Sequence, residues 1–571
     1  MRTLSYKILS LCFCIMLLAQ ACKKDKIDTK VDNRILTENR VNSNVRIINL
    51  AGFNQVVANG DSLTSFIVRP STGPDSYKYP GTSYFPTDGR LGQTWSVPQN
   101  LFNQQETATL KFGVRNINET NGNFDISMVA KNDYNTPTDY VLMPTRYTNG
   151  QSEVVAIPRG VASPSKPDHF KIRIVNLSAN INNPAYGLSG PQEDLRGPVS
   201  LAFADGTLVN NATNNITAAA KVSEYVELPY GTYQFRVLLQ DGKQLPSPGS
   251  SEDYSLGLID PATSSIPKDY YKVSHQVYAP IQTYQPGGVY TILVAPQRFD
   301  YLVDDIGNNS FLYQNAFRVI TDVSAPANQT YFRLQAANAM AGQVMGLKVN
   351  GKLIASHISY GNGSDYANLI KGNYTVEALD ASGNVLASST QELRPSQNYT
   401  AWLHPDQTGK AKLLLVANDL SGTSFRGPTD DATYARQAKK FFFSKRFLNL
   451  SIGNPYITFT FDNGQYNSNA VVNIQPGLPV FEQPYIGGFA TGDAYNILAY
   501  RSKPNVVPGT WANDIETLPH DVFIANKTLY QKPNKGLPVD EPGVYTVALI
   551  GTSTNATSAN KAKMIIIKHT K

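Results

Sequence analysis

The chain has 571 residues, and its 50 Lys and Arg against 44 Asp and Glu give a formal net charge of +6. So small an excess over so long a chain does not indicate nucleic-acid binding, and none is predicted. Charged residues are 16% of the chain, below the ~25% typical of soluble domains, while 32 Tyr, 41 Gly and 35 Pro favour strands and tight turns.

The N-terminus has the features of a secretory signal. Basic Arg2 and Lys7 precede an apolar run, 8–18, that is about half the ~20 residues a membrane-spanning helix needs. The chain becomes polar after Cys22, so we predict a signal peptide over residues 1–21. Because the other two cysteines lie inside that signal, the mature chain is predicted to use cysteine for neither disulfides nor metal binding.

The segment Leu18–Cys22 resembles the lipobox of bacterial lipoproteins, with Ala19 where Leu is usual. The resemblance implies that the Cys22 thiol receives a diacylglycerol and that the new amino group is acylated. Three acyl chains would hold the protein at a membrane essentially permanently, since each buried CH₂ contributes roughly 0.8 kcal/mol.

A charged segment, 22–43, follows the anchor and is predicted to be a disordered tether because it has little apolar surface to bury. In Gram-negative lipoproteins a residue such as Lys23 after the cysteine favours passage to the outer membrane. The pair Lys24-Asp25 also resembles the export signal of surface-displayed lipoproteins. We therefore expect an outer-membrane protein at the cell surface, with a periplasm-facing protein as the alternative.

A short strand pattern, an arginine among apolar residues, recurs four times. The copies are Val45–Leu50, Ile172–Leu177, Phe332–Ala337 and Lys445–Leu450. Each is followed by a dipeptide that favours the positive-φ turn of a β-hairpin: Asn59-Gly60, Asp205-Gly206, Asn350-Gly351 and Asn463-Gly464. The copies therefore share a strand pair and differ in loop length.

The second and third copies agree further, because Ser223–Tyr233 aligns without a gap against Ser364–Tyr374. Tyr233 and Tyr374 are interpreted as core or strand-pairing residues. Short strands with turn signals every ~8–12 residues are typical of antiparallel β-sandwiches.

We predict an all-β chain of about four tandem antiparallel, immunoglobulin-like β-sandwich domains, arranged in a row on the tether. The predicted boundaries are 44–162, 168–323 with a long insert at 246–288, 327–421, a linker at 422–440, and 441–571. The Arg-Ile-Val-Asn-Leu strand, the Asp-Gly or Asn-Gly hairpin and the Gly-Thr-Tyr or Gly-Asn-Tyr strand together resemble a family of secreted bacterial repeats, domain of unknown function 4397. The resemblance implies an immunoglobulin- or transthyretin-like fold and no established activity.

No motif points to catalysis, so the protein is predicted not to be an enzyme, and no catalytic, cofactor-binding or metal-ligating residue is predicted. The six histidines lack metal-ligand spacing and are interpreted as surface or turn residues. Two carboxylates brought together by the fold, as in a glycosidase, stay open as an alternative. The basic cluster comprising Arg436, Lys439, Lys440, Lys445 and Arg446 is interpreted as a solvated face.

Two aromatic-rich inserts are the candidate contact regions. The first, 70–98, contains Tyr77, Tyr79 and Trp95, and the second, 246–288, contains Tyr270, Tyr271 and Tyr278. Such residues on long loops can present a binding face, for instance by stacking on sugar rings. The alternative is that they pack over the edges of the sheets.

The sequence therefore predicts a non-catalytic lipoprotein that works by display, adhesion or binding, attached to the membrane by its lipid. Its ligand would be a glycan or a protein. Two alternatives stay open: a carbohydrate-binding accessory of a polysaccharide-uptake system, and a purely structural envelope protein.

Overall fold

The computed structural model describes residues 41–65, 69–70, 77–78, 80–87, 89–115, 123–182, 194–247, 280–302, 309–420, 443–461, 464–466, 468–481, 484–486, 495–530, 537 and 541–571. Regular structure in these residues is all β, apart from short 3-10 helices. The all-β prediction is therefore confirmed. The chain divides into two compact units, residues 1–140 and 141–571.

The described part of the first unit holds two larger sheets and one two-stranded pair, Arg69–Pro70 with Tyr77–Lys78. Its strands are β1 (Asn42–Asn49), β2 (Gln55–Ala58), β3 (Asp61–Ser62), β4 (Arg69–Pro70), β5 (Tyr77–Lys78), β6 (Thr94–Pro98), β7 (Thr107–Val114), β8 (Asn123–Lys131) and the start of β9 (Thr138–Leu142). One sheet places β1 between β6 and β9, and the other has the order β3-β2-β7-β8. Alternate residues of β1, such as Val45 and Ile47, are buried in the core of this unit.

The second unit contains three modules of strands. It opens with β10 (Thr148–Asn149) and β11 (Val154–Pro158). The second module comprises β12 (His169–Asn176), β13 (Asn180–Ile181), β14 (Val199–Ala202), β15 (Val226–Pro229), β16 (Gly231–Tyr233), β17 (Arg236–Leu239), β18 (Gln282–Tyr284), β19 (Val289–Leu302) and β20 (Asn309–Val323). The third comprises β21 (Tyr331–Asn338), β22 (Met345–Val349), β23 (Lys352–Ile358), β24 (Ala367–Ile370), β25 (Gly372–Leu379), β26 (Val385–Leu393), β27 (Asn398–Pro405) and β28 (Ala411–Asn418).

The fourth module comprises β29 (Phe443–Asn449), β30 (Ile457–Thr460), β31 (Tyr485–Ile486), β32 (Leu498–Lys503), β33 (Val506–Trp511), β34 (Gly543–Ile550) and β35 (Lys563–Lys568). The 3-10 helices of the described residues are Gln99–Leu101, Thr145–Tyr147, Asn211–Thr213, Asn469–Val471, His520–Phe523 and Lys527–Tyr530.

The first sheet has the same strand order in all three modules of the second unit: β15-β12-β19-β20, β24-β21-β27-β28 and β31-β29-β34-β35. The recurring arginine strand is central in each, antiparallel to one neighbour and parallel to the other. The parallel pair differs from the antiparallel pattern predicted from sequence. Alternation of side chains reports the face of a strand and not its direction, whereas a parallel neighbour needs a crossover, here through the second sheet.

The core of each module lies on the inner face of its four-stranded sheet, and in the second module the pairs β14-β17 and β16-β18 form two further sheets. In the second module, Phe170, Ile172 and Ile174 of β12 project into a cluster that includes Val237 and Leu239 of β17. The arginine between these apolar residues therefore lies on the opposite, outer face of the first sheet.

The asparagine that follows the arginine fixes the end of the central strand. In the second module its Nδ2 donates to the carbonyls of Gly197 (2.9 Å) and Ile216 (2.8 Å). The equivalent asparagines, Asn49, Asn338 and Asn449, also donate to main-chain carbonyls. Each asparagine thereby ties the end of the central strand to the main chain of neighbouring segments.

Two of the four predicted hairpin turns have positive φ at both central residues, whereas at Asp205-Gly206 only the glycine does. Asn59 and Gly60, between β2 and β3, have φ values of +52° and +100°, and Asn350 and Gly351, between β22 and β23, have +45° and +82°. These are the positive values that a tight two-residue hairpin requires, so these two predictions are confirmed.

The modules of the second unit contact one another out of sequence order. Arg236 of the second module and Glu541, just before β34, form an ion pair in which both side chains are almost fully buried. Nearby, the Lys568 Nζ lies 2.7 Å from the Gln234 Oε1, and the Gln234 N–H donates to the Lys571 carbonyl at 2.7 Å. The fourth module therefore binds the second, and the predicted row is wrong for this unit.

Removing the Glu541 carboxylate is expected to destabilise the second unit. Glu541→Ala leaves the Arg236 guanidinium buried without its partner, a change that typically costs about 3–5 kcal/mol. Urea unfolding should show this loss, and the double variant Arg236→Met/Glu541→Leu should recover only the part that comes from the unpaired guanidinium, because Lys568 and the Ala525 N–H also bind Glu541. The exposed pair Arg196–Asp194 is the control, because Asp194→Ala should cost less than about 1 kcal/mol. Equal losses in Glu541→Ala and Asp194→Ala would contradict the role of the buried pair.

Candidate ligand cavity

The recurring arginine is buried in every copy, and in the second unit it lies against a tyrosine ring. The Arg173 guanidinium carbon is 4.7 Å from the centre of the Tyr225 ring, a cation–π contact. Its Nε donates to the Thr291 hydroxyl (3.0 Å), and its Nη2 donates to the Pro158 carbonyl (2.7 Å). Pro158 ends β11, so Arg173 joins the second module to the strand that precedes it.

The fourth module repeats this arrangement. The Arg446 guanidinium carbon is 4.7 Å from the centre of the Tyr485 ring, and its Nη1 donates to the Ala417 carbonyl at 2.6 Å. Ala417 lies in β28, the closing strand of the third module. In both modules, a guanidinium that lies on a tyrosine ring therefore donates to a main-chain carbonyl of the preceding segment.

Burial keeps the tyrosines of these pairs neutral. It raises the pKa of Tyr225 to about 12, with the Asp322 carboxylate adding to the shift. Burial also raises the pKa of Tyr366 and Tyr485 above the ordinary value. The rings therefore stay neutral phenols at neutral pH.

Arg333 of the third module departs from this pattern. Its guanidinium carbon is 4.2 Å from the centre of the Tyr366 ring, and Gly231 of the second module lies close to the same group, where an added Cβ would be 2.8 Å from Cζ. Among the described residues, only the Asn398 Oδ1, 3.3 Å from Nη1, accepts from this guanidinium, and its buried Nε has no partner. Arg333 borders a cavity instead of a carbonyl.

The cavity has a volume of 460 Å³ and lies where the second, third and fourth modules meet. Aromatic rings, amides and charged groups line it, among them Phe203, Tyr230, Tyr233, Arg333, Gln335, Asp365, Tyr366, Asn368, Lys568, His569 and Lys571. Its volume is within the ~300–1,000 Å³ typical of small-molecule sites.

His569 is the fixed polar group of this cavity. Its Nδ1 is 3.0 Å from the Gln335 Nε2 and 3.0 Å from the Tyr366 hydroxyl, and its Nε2 is 2.7 Å from the Thr546 hydroxyl. Burial, with smaller contributions from two arginines, lowers its pKa to about 3. The imidazole is therefore neutral, with Nδ1 accepting from the Gln335 amide, so Nε2 is the ring nitrogen that carries hydrogen.

Most other charges around the cavity are paired. The Lys571 Nζ is 3.2 Å from the Asp365 Oδ1, and the Lys568 Nζ is 3.5 Å from the Glu541 Oε1. Arg333 makes no ion pair with any described residue. The cavity wall therefore holds one buried positive charge without a carboxylate.

The candidate contact aromatics of the sequence do not line the cavity among the described residues. Trp95 is in β6 of the first unit, only 8% exposed, with its ring 5.4 Å from that of Phe85. This burial favours the packing interpretation for Trp95. The Tyr77 backbone is in β5, whereas the Tyr77 side chain and the residues Cys22, Tyr79, Tyr270, Tyr271 and Tyr278 lie outside the described residues.

The structure corrects two interpretations of charged and polar residues. His404 and His569 are buried, so they are not the surface residues expected. Lys445 and Arg446 are buried as well, and the Lys445 Nζ lies 3.6 Å from the centre of the Phe443 ring, so these two do not belong to a solvated face. Aromatic rings make burial of such cations possible, and sequence spacing does not show them.

Arg333 and Tyr366, which define the cavity, are not among the site residues predicted from the sequence. A signal was present, because the recurring arginine and the aligned pair Tyr225 and Tyr366 were both visible. Local sequence does not show their contact, since Arg333 in β21 and Tyr366, directly before β24, are about 30 residues apart in the chain and come together only where these strands pair.

The described residues contain no group of three or more His, Cys, Asp and Glu placed to hold a metal ion. In the same residues, no helix has both the length and the apolar character that crossing a membrane requires.

His569 is expected to make stability depend on pH. In the unfolded chain a histidine titrates near pH 6.5, whereas in the folded protein it stays neutral down to about pH 3. The unfolded state therefore binds one more proton between these values, and the free energy of unfolding falls by about 1.4 kcal/mol per pH unit as the pH drops through this window.

Comparing the parent with His569→Gln isolates this effect, because the carboxylates titrate in both proteins. Urea unfolding from pH 7 to pH 4 should show the parent losing its advantage as the pH falls. The exposed His357, changed to Asn, is the control and should leave the pH profile of the parent unchanged. A constant difference between the parent and His569→Gln would contradict the neutral, buried imidazole.

Comparison with protein families gives one match, residues 333–425, to the family described as domain of unknown function (DUF4397). The match covers the third module from Arg333 onward and confirms the resemblance there. Among curated proteins, no significant similarity to the sequence is found.

Two solved structures share low similarity with the chain. Family 41 carbohydrate-binding modules from streptococcal virulence factors, described for alpha-glucan recognition, share 10% identity over 41% of this chain and 96% of that chain, with a TM-score of 0.12. The Bacillus anthracis TIE protein shares 9% identity over 87% of this chain and 68% of that chain, with a TM-score of 0.11. At these TM-scores neither similarity supports a conclusion about fold or ligand.

Proposed function

We propose that this chain is a non-catalytic lipoprotein of the outer membrane that displays tandem β modules at the cell surface and binds a small ligand, a glycan residue, in the cavity between its last three modules. The repeated strand order of the modules supports the tandem repeats. The observation that carries the binding role is the cavity itself, with aromatic rings and polar groups from three modules on one wall.

The anchor rests on the sequence of the N-terminus. The signal at residues 1–21, the cysteine at position 22 and the charged tether at 22–43 together support lipidation and display at a distance from the membrane. Surface exposure is proposed over a periplasmic orientation because of the basic and acidic residues directly after Cys22.

The groups in the cavity have structural partners, which supports binding over catalysis. His569 is held through both ring nitrogens, and Asp365 pairs with Lys571. The Asp205 Oδ1 accepts from the Thr207 N–H (2.9 Å) and hydroxyl (2.7 Å), as in a local turn. A general acid or base would need a proton acceptor or donor free to act on a substrate.

The amide groups favour a saccharide as the ligand. In the described part of the chain, neither the Asn368 Oδ1 nor the Gln335 Oε1 receives a hydrogen bond, although the Nδ2 and Nε2 of these residues are used. Hydroxyl groups of a sugar could donate to both oxygens while the ring lies against an aromatic side chain. This observation supports the carbohydrate-binding alternative over a purely structural protein.

Lipidation is tested by growing cells with radioactive palmitate. The parent should be labelled and Cys22→Ala should not, because the thiol is the predicted site of the first acyl group. Cys12→Ala is the matched control and should keep the label, since Cys12 lies within the predicted signal. Equal label in the parent and in Cys22→Ala would contradict the anchor.

Ligand binding is tested on a glycan array with the full chain in detergent. Ala525 is exposed and lines the cavity, and its N–H is bonded to the Glu541 carboxylate, so Ala525→Trp should fill the cavity without breaking that bond. We expect Ala525→Trp to lose glycans that the parent retains, and Ala381→Trp, in an exposed turn, to keep them.

Two outcomes would contradict this proposal. Loss of binding in Tyr271→Ala with full binding in Ala525→Trp would move the site to the aromatic insert. No glycan retained by the parent would favour the structural alternative.

A further inference from the structure

We infer that the cavity receives the carboxylate of an acidic saccharide, and that Arg333 is the residue that binds it. This inference rests on the proposed binding function and names the ligand class. The juxtaposition that carries it is a buried guanidinium beside two amide oxygens, all bordering one cavity, for which the described residues supply neither a carboxylate to the first nor a donor to the other two.

Arg333 carries a buried positive charge. Only 4% of the residue is exposed, and burying a cation is costly unless it is paired or well hydrogen-bonded. Two other buried arginines have a carboxylate partner: Arg46 is bidentate to Asp139, at 2.9 and 2.6 Å, and Arg236 pairs with Glu541. Arg173 and Arg446 donate instead to main-chain carbonyls. An anion in the cavity would supply what Arg333 lacks.

The neighbours of the Arg333 guanidinium restrict its orientation. The Tyr366 ring covers one side of the group, and Gly231 comes close enough that a side chain there would collide with it. The group is thereby fixed in orientation. A fixed planar guanidinium can bind a carboxylate through two parallel hydrogen bonds from its two Nη groups.

The two lysines that line the cavity each have a carboxylate beside them. Lys568 and Lys571 have the carboxylates of Glu541 and Asp365 beside them, and His569 is neutral. One negative charge on the ligand would therefore compensate the Arg333 guanidinium. A neutral ligand would leave Arg333 uncompensated.

The aromatic and amide groups that line the rest of the cavity favour a saccharide over other small carboxylates. Tyr230, Tyr233 and Phe203 present aromatic surface, and the Asn368 and Gln335 oxygens accept hydrogen bonds from hydroxyl donors. A uronic acid offers a ring face, several hydroxyls and one carboxylate. A peptide with a free C-terminus offers the carboxylate but lacks the hydroxyls, and it is the competing outcome of the test.

The probes are galacturonic acid and its neutral counterpart galactose, titrated calorimetrically into the full chain in detergent. Charge-assisted hydrogen bonds should favour galacturonic acid by at least about tenfold in affinity. Arg333→Gln should bring the two affinities together, and Ala381→Trp should leave the preference unchanged. Equal affinities in the parent, or a preference that survives Arg333→Gln, would overturn the assignment.

A second variant covers the case in which Arg333→Gln does not fold. Gly231→Ala keeps the charge but places a methyl group against the guanidinium, so it should weaken galacturonic acid more than galactose. Equal loss for both sugars would overturn the role of Arg333.

Acetyl-Ala-Ala with a free carboxylate, against its amide, tests the peptide. Tighter binding of this peptide than of galacturonic acid would overturn the saccharide class. Neutral glycans that bind in a manner blocked by Ala525→Trp, without any preference for galacturonic acid, would refute this inference and leave the proposed function standing.

Discussion

The second unit depends on a buried guanidinium stacked on a tyrosine at the outer face of each module. An arginine on the face away from the core would ordinarily reach into solvent, yet Arg173, Arg333 and Arg446 are each no more than 4% exposed. Such burial requires a neighbour to cover the face, and the neighbour must satisfy the donors. In the second unit a module with this buried arginine therefore needs a neighbouring segment against its outer face, so the modules pack against one another.

The way in which each arginine is satisfied distinguishes the modules. Arg173 and Arg446 donate to a main-chain carbonyl of the segment before them, Pro158 and Ala417. In the first unit Arg46 instead forms a bidentate pair with Asp139 from a neighbouring strand of its own unit. The same residue in the same strand therefore serves as a joint in two copies and as an internal ion pair in another.

Arg333 is the copy in which neither solution is present in the described residues, and it is the one beside the cavity. The cavity exists because the fourth module returns to the second through Arg236 and Glu541 and brings the residues after β35 alongside β16. The arginine that elsewhere binds a main-chain carbonyl or a carboxylate thus has neither among the described residues at the place where three modules meet. We regard this difference as the origin of the proposed binding site.

Much of the fold follows from the sequence alone. The alternation of apolar residues around the arginine, the Asn-Gly turns and the repeated tyrosines predict an all-β chain of related modules, because side-chain alternation and positive-φ turns are local properties. Local patterns also predict the signal, the cysteine at position 22 and the tether. Tyr233 was predicted to be a core residue, and it is buried.

The site was decided by the tertiary structure. Arg333, Tyr366 and His569 are separated by up to 236 positions, and nothing in their local sequence shows that the first lacks an anion or that the last is buried and neutral. The direction of the parallel strand, the return of the fourth module to the second and the burial of Lys445 depend likewise on contacts between distant segments. Local sequence determines which face a side chain occupies, whereas only the packed fold determines what covers that face and whether its charge is balanced.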